Sequence, residues 1–122
     1  MVAPQSIKRN DRAEAGDTLI LGKGLGVGIL GAALKKGELG TVGYDEMLRA
    51  TTKLNSVGAD LANLPGVHAM TDVTGFGLLG HLLEVCRGSG LGATIDCGSV
   101  PILPKALELA ENGYNTGAAS RN

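Results

Sequence analysis

Apolar positions along the chain recur at two periods, and their order predicts the elements. Pro4 to Asp11 is polar and charged and reads as an extended lead-in, so residues 1–16 form a lead-in and 17–122 the folded part. Thr18 to Gly22 is a short apolar run of strand length. After a glycine-rich turn, Val27 to Lys36 carries apolar residues at helical spacing and ends in Lys35, Lys36 and Gly37, a helix stop signal. Tyr44 to Ser56 repeats the helical pattern, with Met47, Leu48, Ala50 and Leu54 predicted to face inward. Gly58 to Leu64 adds a shorter piece before Pro65-Gly66 breaks the chain. Gly66 to Met70 reads as a buried strand and Leu78 to Cys86 as a helix ended by Gly88-Ser89-Gly90. Leu91 to Asp96 alternates like a half-buried strand, Pro101 to Pro104 turns, and Lys105 to Asn112 forms the last helix. This alternation predicts an α/β (α+β) fold, helices layered on a sheet.

The helix from Leu78 carries two apolar rows, Leu78, Leu82 and Val85 beside Leu79, Leu83 and Cys86, and is expected to be largely buried. His81, Glu84 and Arg87 fall at i, i+3 steps on the remaining side, the pattern of a solvated polar face, with substrate contact as the alternative for His81.

Asp72 stands where the strand at Gly66 to Met70 hands over to this helix. Thr74 is placed to cap the helix, and Gly75 and Gly77 allow a ligand to approach the backbone closely. Free N–H groups at a helix start suit an anionic oxygen, which makes Thr74, Gly75 and Gly77 candidate phosphate contacts. A carboxylate beside them suits Mg²⁺, which takes one or two protein carboxylates and completes its shell with water and phosphate oxygens. The competing assignment makes Asp72 a helix cap and nothing more.

Ala69-Met70-Thr71-Asp72-Val73-Thr74-Gly75-Phe76-Gly77-Leu78-Leu79-Gly80-His81-Leu82 closely resembles the signature of the C-terminal domain of the selenophosphate synthetase (selenide, water dikinase) family. Other segments match that family in the same order. Ala15 to Leu21 is similar to its opening strand, and Lys23-Gly24-Leu25-Gly26-Val27-Gly28 to a turn in which the family's proline is here Gly24. Asn55 to Asn63 resembles its helix before the signature, and Arg121-Asn122 an Arg-Asn that closes a later loop. The resemblance implies a two-layer sandwich of helices on a mixed sheet, as in the C-terminal domain of the aminoimidazole ribonucleotide synthetase superfamily, incomplete at its C-terminus. It also implies an enzyme that turns ATP, selenide and water into selenophosphate, AMP and phosphate, with Asp72 as a magnesium ligand. The family's glycine-rich segment with its cysteine or selenocysteine and lysine, and two further metal-binding aspartates, belong to an N-terminal domain. Met1-Val2-Ala3-Pro4 looks like the join to that domain. The chain is therefore expected to be a fragment without catalytic residues of its own, inactive alone, and part of a homodimer in the full-length enzyme.

Composition narrows the alternatives. A net charge of −1 and scattered Lys and Arg residues provide no basic field for nucleic acid. One Phe, two Tyr and no Trp leave few platforms for stacking bases. Cys86 and Cys97 lack metal spacing and read as reduced thiols, although Cys97 could stand in for the absent selenide-handling cysteine. No stretch has the roughly 18–20 apolar residues of a membrane span, and a cytoplasmic location is expected.

Two other functions compete. The chain could be a folded scaffold without activity. It could also be a dinucleotide-binding module, because Gly26-Val27-Gly28-Ile29-Leu30-Gly31 is formally G-x-G-x-x-G. That pattern needs a second strand ending in an acid about 20 residues on, whereas Tyr44 to Arg49 looks helical. The glycines then serve tight packing, and Lys23 is a surface cation or a phosphate contact.

Overall fold

The helical spacing seen in the sequence produces α1 (Val27–Lys35), α2 (Gly40–Thr52), α3 (Val57–Ala62), α4 (Gly77–Ser89) and α5 (Pro104–Glu111), with a 3-10 turn at Cys97–Ser99. The structure is a computed structural model that describes residues 7–117 and Ala119. Met1 to Pro4 and Arg121-Asn122, singled out above, lie outside the described residues.

The mixed sheet does not form among the described residues. Among the described residues, extended backbone pairs only at an isolated parallel bridge between Leu25 and Ile102. Thr18 to Gly22, Gly66 to Met70 and Leu91 to Asp96, predicted as strands, have no ladder. A strand exists only when its row of N–H and C=O groups meets a neighbour, and a short apolar run cannot supply one. Met70 N–H reaches the Arg9 carbonyl at 3.3 Å, and Ile20 is 86% exposed. Among the described residues, helices and irregular connections therefore replace the predicted layer of helices on a sheet.

The chain divides into two units. One combines Ile20–Leu54 with the segment from Asp96 onward, and holds α1, α2 and α5. Its core is Leu30 and Ala33 of α1, Leu39, and Ala106 and Leu109 of α5, with Ile29, Met47, Leu103 and Tyr114 packed against it. The i, i+3 pairs on α1 and α5 are the inward edges of two amphipathic helices. Met47 joins the core as predicted, but Leu48 and Leu54 are exposed. Starting at Gly40, α2 turns the row Leu39, Gly43 and Met47 inward, away from Leu48, and it ends before Leu54.

The bridge fixes the entry to α1. Leu25 N–H donates to the Pro101 carbonyl at 2.9 Å and Leu103 N–H to the Leu25 carbonyl at 2.8 Å. This pairing brings Gly26, at φ +123°, so close to α5 that a β-carbon there would lie 2.3 Å from that of Ala106. The Glu46 carboxylate accepts from Lys105 N–H at 3.0 Å and so caps α5 from α2. At the other end of α2, the Lys23 ammonium donates to the carbonyls of Ala50, at 3.3 Å, and Lys53. Lys36 lies 4.7 Å over the Tyr114 ring.

The second unit combines the segment ending at Leu19 with Asn55–Ile95, and holds α3 and α4. Ala13 N–H donates to Ser89 Oγ at 3.0 Å, and Gly88 admits Asp11 so closely that a β-carbon would come within 2.8 Å of Asp11 Cβ. At the end of α4, Leu91 N–H donates to the Cys86 carbonyl and Gly90 N–H to that of Arg87, with Gly90 left-handed; Gly37 and Gly113 close α1 and α5 in the same way.

A turn from Glu14 to Asp17 is tied to His68 in this unit. Glu14 N–H donates to the Asp17 carboxylate at 2.8 Å, and His68 Nδ1 lies 2.8 Å from its other oxygen. The Glu14 N–H first, and His68 second, hold Asp17 below the usual carboxylate range. A carboxylate depressed by folding contributes stability that is fully present above its unfolded pKa and lost as pH falls through its lower folded value. Thermal unfolding followed from about pH 6 to pH 2 is therefore expected to fall less steeply in Asp17→Asn than in the unsubstituted chain. Identical slopes would contradict the linkage.

Candidate functional site around Asp72

The signature segment meets α4 by a face the sequence pattern did not predict. Leu78, Leu82 and Val85 are half-buried, whereas Leu79 and Leu83 are exposed, and His81 is the buried residue of the helix. The expectations of a largely buried helix and a solvated His81 are therefore corrected. Gly77, His81 and Gly88 lie on one stripe of the helix, and the missing side chain at Gly88 allows Asp11 to approach. Glu84 and Arg87 do remain exposed, as predicted.

Thr74 does not cap α4. Its carbonyl accepts from Gly77 N–H at 3.0 Å in a turn, so the helix begins at Gly77 with no side-chain cap. The displaced hydroxyl instead lies 3.0 Å from His81 Nε2, and His81 Nδ1 lies 3.1 Å from Glu84 Oε2. Phe76 stands edge-on to the His81 ring, with centroids 5.7 Å apart and planes at 68°. Gly80 makes this possible, because a β-carbon there would come within 2.7 Å of Phe76 Cβ.

Asp72 is exposed, and among the described residues no hydrogen bond or ion pair engages its carboxylate; its backbone carbonyl accepts from the Thr71 hydroxyl at 3.3 Å. It does not cap α4. Among the described residues, an added β-carbon at Gly75 or Gly77 meets nothing within 4 Å, and Gly77 is left-handed at φ +70°. Among the described residues, no group of three or more His, Cys, Asp or Glu side chains is placed to hold a metal. The donor set fits Mg²⁺ only as one carboxylate of a shared shell, with water, phosphate oxygens or other residues completing it.

Lys23 and Gly26 have structural employment. Lys23 holds the end of α2. Gly26, first of the G-x-G-x-x-G, faces Ala106, which assigns it to helix packing. Cys86 is half-buried and Cys97 exposed, both as free thiols. Beside Cys97, the Ser99 hydroxyl, at 2.6 Å, and Gly98 N–H, at 3.0 Å, hold the Asp96 carboxylate below its ordinary range and commit it to the 3-10 turn. Among the described residues, no helix is long and apolar enough to cross a membrane.

Residues 14–117 match the family described as AIR synthase related protein, C-terminal domain. The chain belongs to that family. Over its full length it is 58% identical to the selenide, water dikinase of Dechloromonas aromatica, 59% to that of Paraburkholderia xenovorans and 60% to that of Pseudomonas straminea. The chain spans 35%, 34% and 34% of those proteins, about a third of their length. Within this family member, sequence reasoning missed the engagement of Thr74, His81 and Glu84 with one another. The signal was available in the i, i+3 step from His81 to Glu84.

Proposed function

We propose that the chain is the C-terminal part of a selenide, water dikinase, which forms selenophosphate, AMP and phosphate from ATP, selenide and water. Identity of 60% over all 122 residues to a selenide, water dikinase is the observation that carries this reading. Residues 1–16 serve as the join to an N-terminal domain and 17–122 as part of the C-terminal domain. Asp72 is one ligand of a Mg²⁺ that neutralises ATP phosphates, and Thr74, Gly75 and Gly77 form the adjoining edge of the pocket. Phosphoryl transfer depends on positioning and charge neutralisation, and one carboxylate cannot provide both. The segment alone is thus a scaffold, and the working enzyme is a cytoplasmic homodimer.

Assay of AMP release from ATP tests the proposal. A full-length protein carrying this segment is expected to release AMP in a selenide- and Mg²⁺-dependent manner, and this chain alone to release none. Turnover without selenide dependence in the full-length protein would overturn the assignment, and turnover by the chain alone would overturn its scaffold role.

A further inference from the structure

The buried ring of His81, 8% exposed, stands between a hydroxyl and a carboxylate. A neutral imidazole carries hydrogen on one nitrogen and accepts at the other. The Glu84 carboxylate only accepts, so at 3.1 Å it takes the hydrogen of Nδ1. Nε2 is then the acceptor, and the Thr74 hydroxyl, 3.0 Å away, donates to it. A hydroxyl bonded to a base that a third group orients is the arrangement that activates an oxygen nucleophile, whatever the order of the residues along the chain. We propose that Thr74 is a nucleophile that accepts an acyl group from an activated aryl ester, with His81 as its general base and Glu84 as the residue that positions His81.

The direction of each hydrogen bond serves this step. Thr74 is exposed, so its oxygen is open to an incoming carbonyl carbon while its hydrogen is held by Nε2. Attack forms the bond from Oγ to that carbon. The hydroxyl proton passes to Nε2, and the Glu84 carboxylate at Nδ1 stabilises the imidazolium so formed. The bond to the leaving aryl oxygen then breaks, that oxygen takes the proton from Nε2, and an acyl ester remains on Thr74. Water attacking by the same route frees the acyl group as a carboxylic acid. The surroundings select the donor. The negative charge of Glu84 repels an anionic donor such as a phosphate ester and leaves a neutral ester unaffected. The Phe76 ring, 62% exposed, stands edge-on to the imidazole with centroids 5.7 Å apart, so an apolar surface open to solvent borders the base and suits an aromatic leaving group. This inference does not rest on Asp72 or on Mg²⁺.

Treating the chain with p-nitrophenyl acetate, a neutral aryl ester, and locating the acetyl group by peptide mass spectrometry tests the proposal. Thr71 is the internal reference, because it is exposed like Thr74 but its hydroxyl meets a backbone carbonyl instead of a base. Thr74 is expected to be acetylated on the order of 100-fold faster than Thr71, the lower end of general-base assistance. Glu84→Gln, at an exposed position, is expected to lose most of that advantage, because an amide donates as well as accepts and no longer fixes the hydrogen on Nδ1. Ring-nitrogen NMR at about pH 8, where an ordinary imidazole is neutral, reads that hydrogen directly. The chain contains two histidines, His68 and His81, so His68→Gln leaves His81 as the single ring observed. Its hydrogen is expected on Nδ1. Equal acetylation of Thr74 and Thr71 overturns the proposal, as does acetyl found only on lysines, cysteines or the N-terminus. A Thr74 rate unchanged in Glu84→Gln overturns the role of Glu84, and a hydrogen on Nε2 overturns His81 as the base.

Discussion

Gly26→Ala is expected to destabilise the unit containing α1, α2 and α5 by about 3 kcal/mol, combining overpacking with backbone strain. Its new methyl would lie 2.3 Å from Ala106 Cβ, far inside contact distance, and neither atom belongs to a side chain that can rotate away. Relief would require α5 to move, and α5 is fixed by the Leu25 bridge and by Glu46. The φ of +123° adds strain for any residue with a β-carbon. Gly31→Ala is the control. It lies in α1, its β-carbon would meet nothing within 4 Å, and it should gain about 0.5–1 kcal/mol from helix propensity. Urea unfolding of the two variants compares them directly. Equal stability of Gly26→Ala and the unsubstituted chain would contradict the packing of α1 on α5.

Asp72→Asn is expected to behave in the opposite manner, sparing the fold and disabling the site. The carboxylate is exposed and, among the described residues, unpaired, so stability should change by less than about 0.5 kcal/mol. In a full-length enzyme carrying the segment, the amide keeps an oxygen but loses the charge proposed to hold Mg²⁺. Cation stabilisation of a transferring phosphoryl group is worth several kcal/mol. Turnover should therefore fall on the order of 100-fold at limiting Mg²⁺, since each 1.36 kcal/mol is tenfold. Raising Mg²⁺ should recover part of the loss. Asp60→Asn, on exposed α3, should leave turnover unchanged. Rates measured across a Mg²⁺ series give both effects, and a Mg²⁺ dependence unaltered in Asp72→Asn would contradict the proposed role.

Helices were legible from local spacing and end signals. α1 stops where Lys35, Lys36 and Gly37 predict, and α4 is closed by Gly90. The predicted strands were apolar runs whose identity depends on a distant partner, so Thr18 to Gly22 and Leu91 to Asp96 could not be decided by their own residues. The orientation of α4 was misread for a related reason. A hydrophobic row marks burial only if a neighbour covers it, and here His81 is buried while Leu79 stays 72% exposed. Thr74 was visible as a polar residue ahead of a helix, but the turn to Gly77 that redirects its hydroxyl is a property of the folded backbone. The proposal for Asp72 rests on the signature that surrounds it, since its position in the chain could equally serve a helix cap.

Calorimetric titration of Mg²⁺ with a non-hydrolysable ATP analogue addresses the role of Asp72 most directly. It compares this chain with a full-length protein that carries it, each with and without Asp72→Asn. Binding confined to the full-length protein and weakened by the substitution is the predicted result. Equal binding with Asp or Asn at position 72 would contradict it, and would leave the carboxylate without a part in the ATP site.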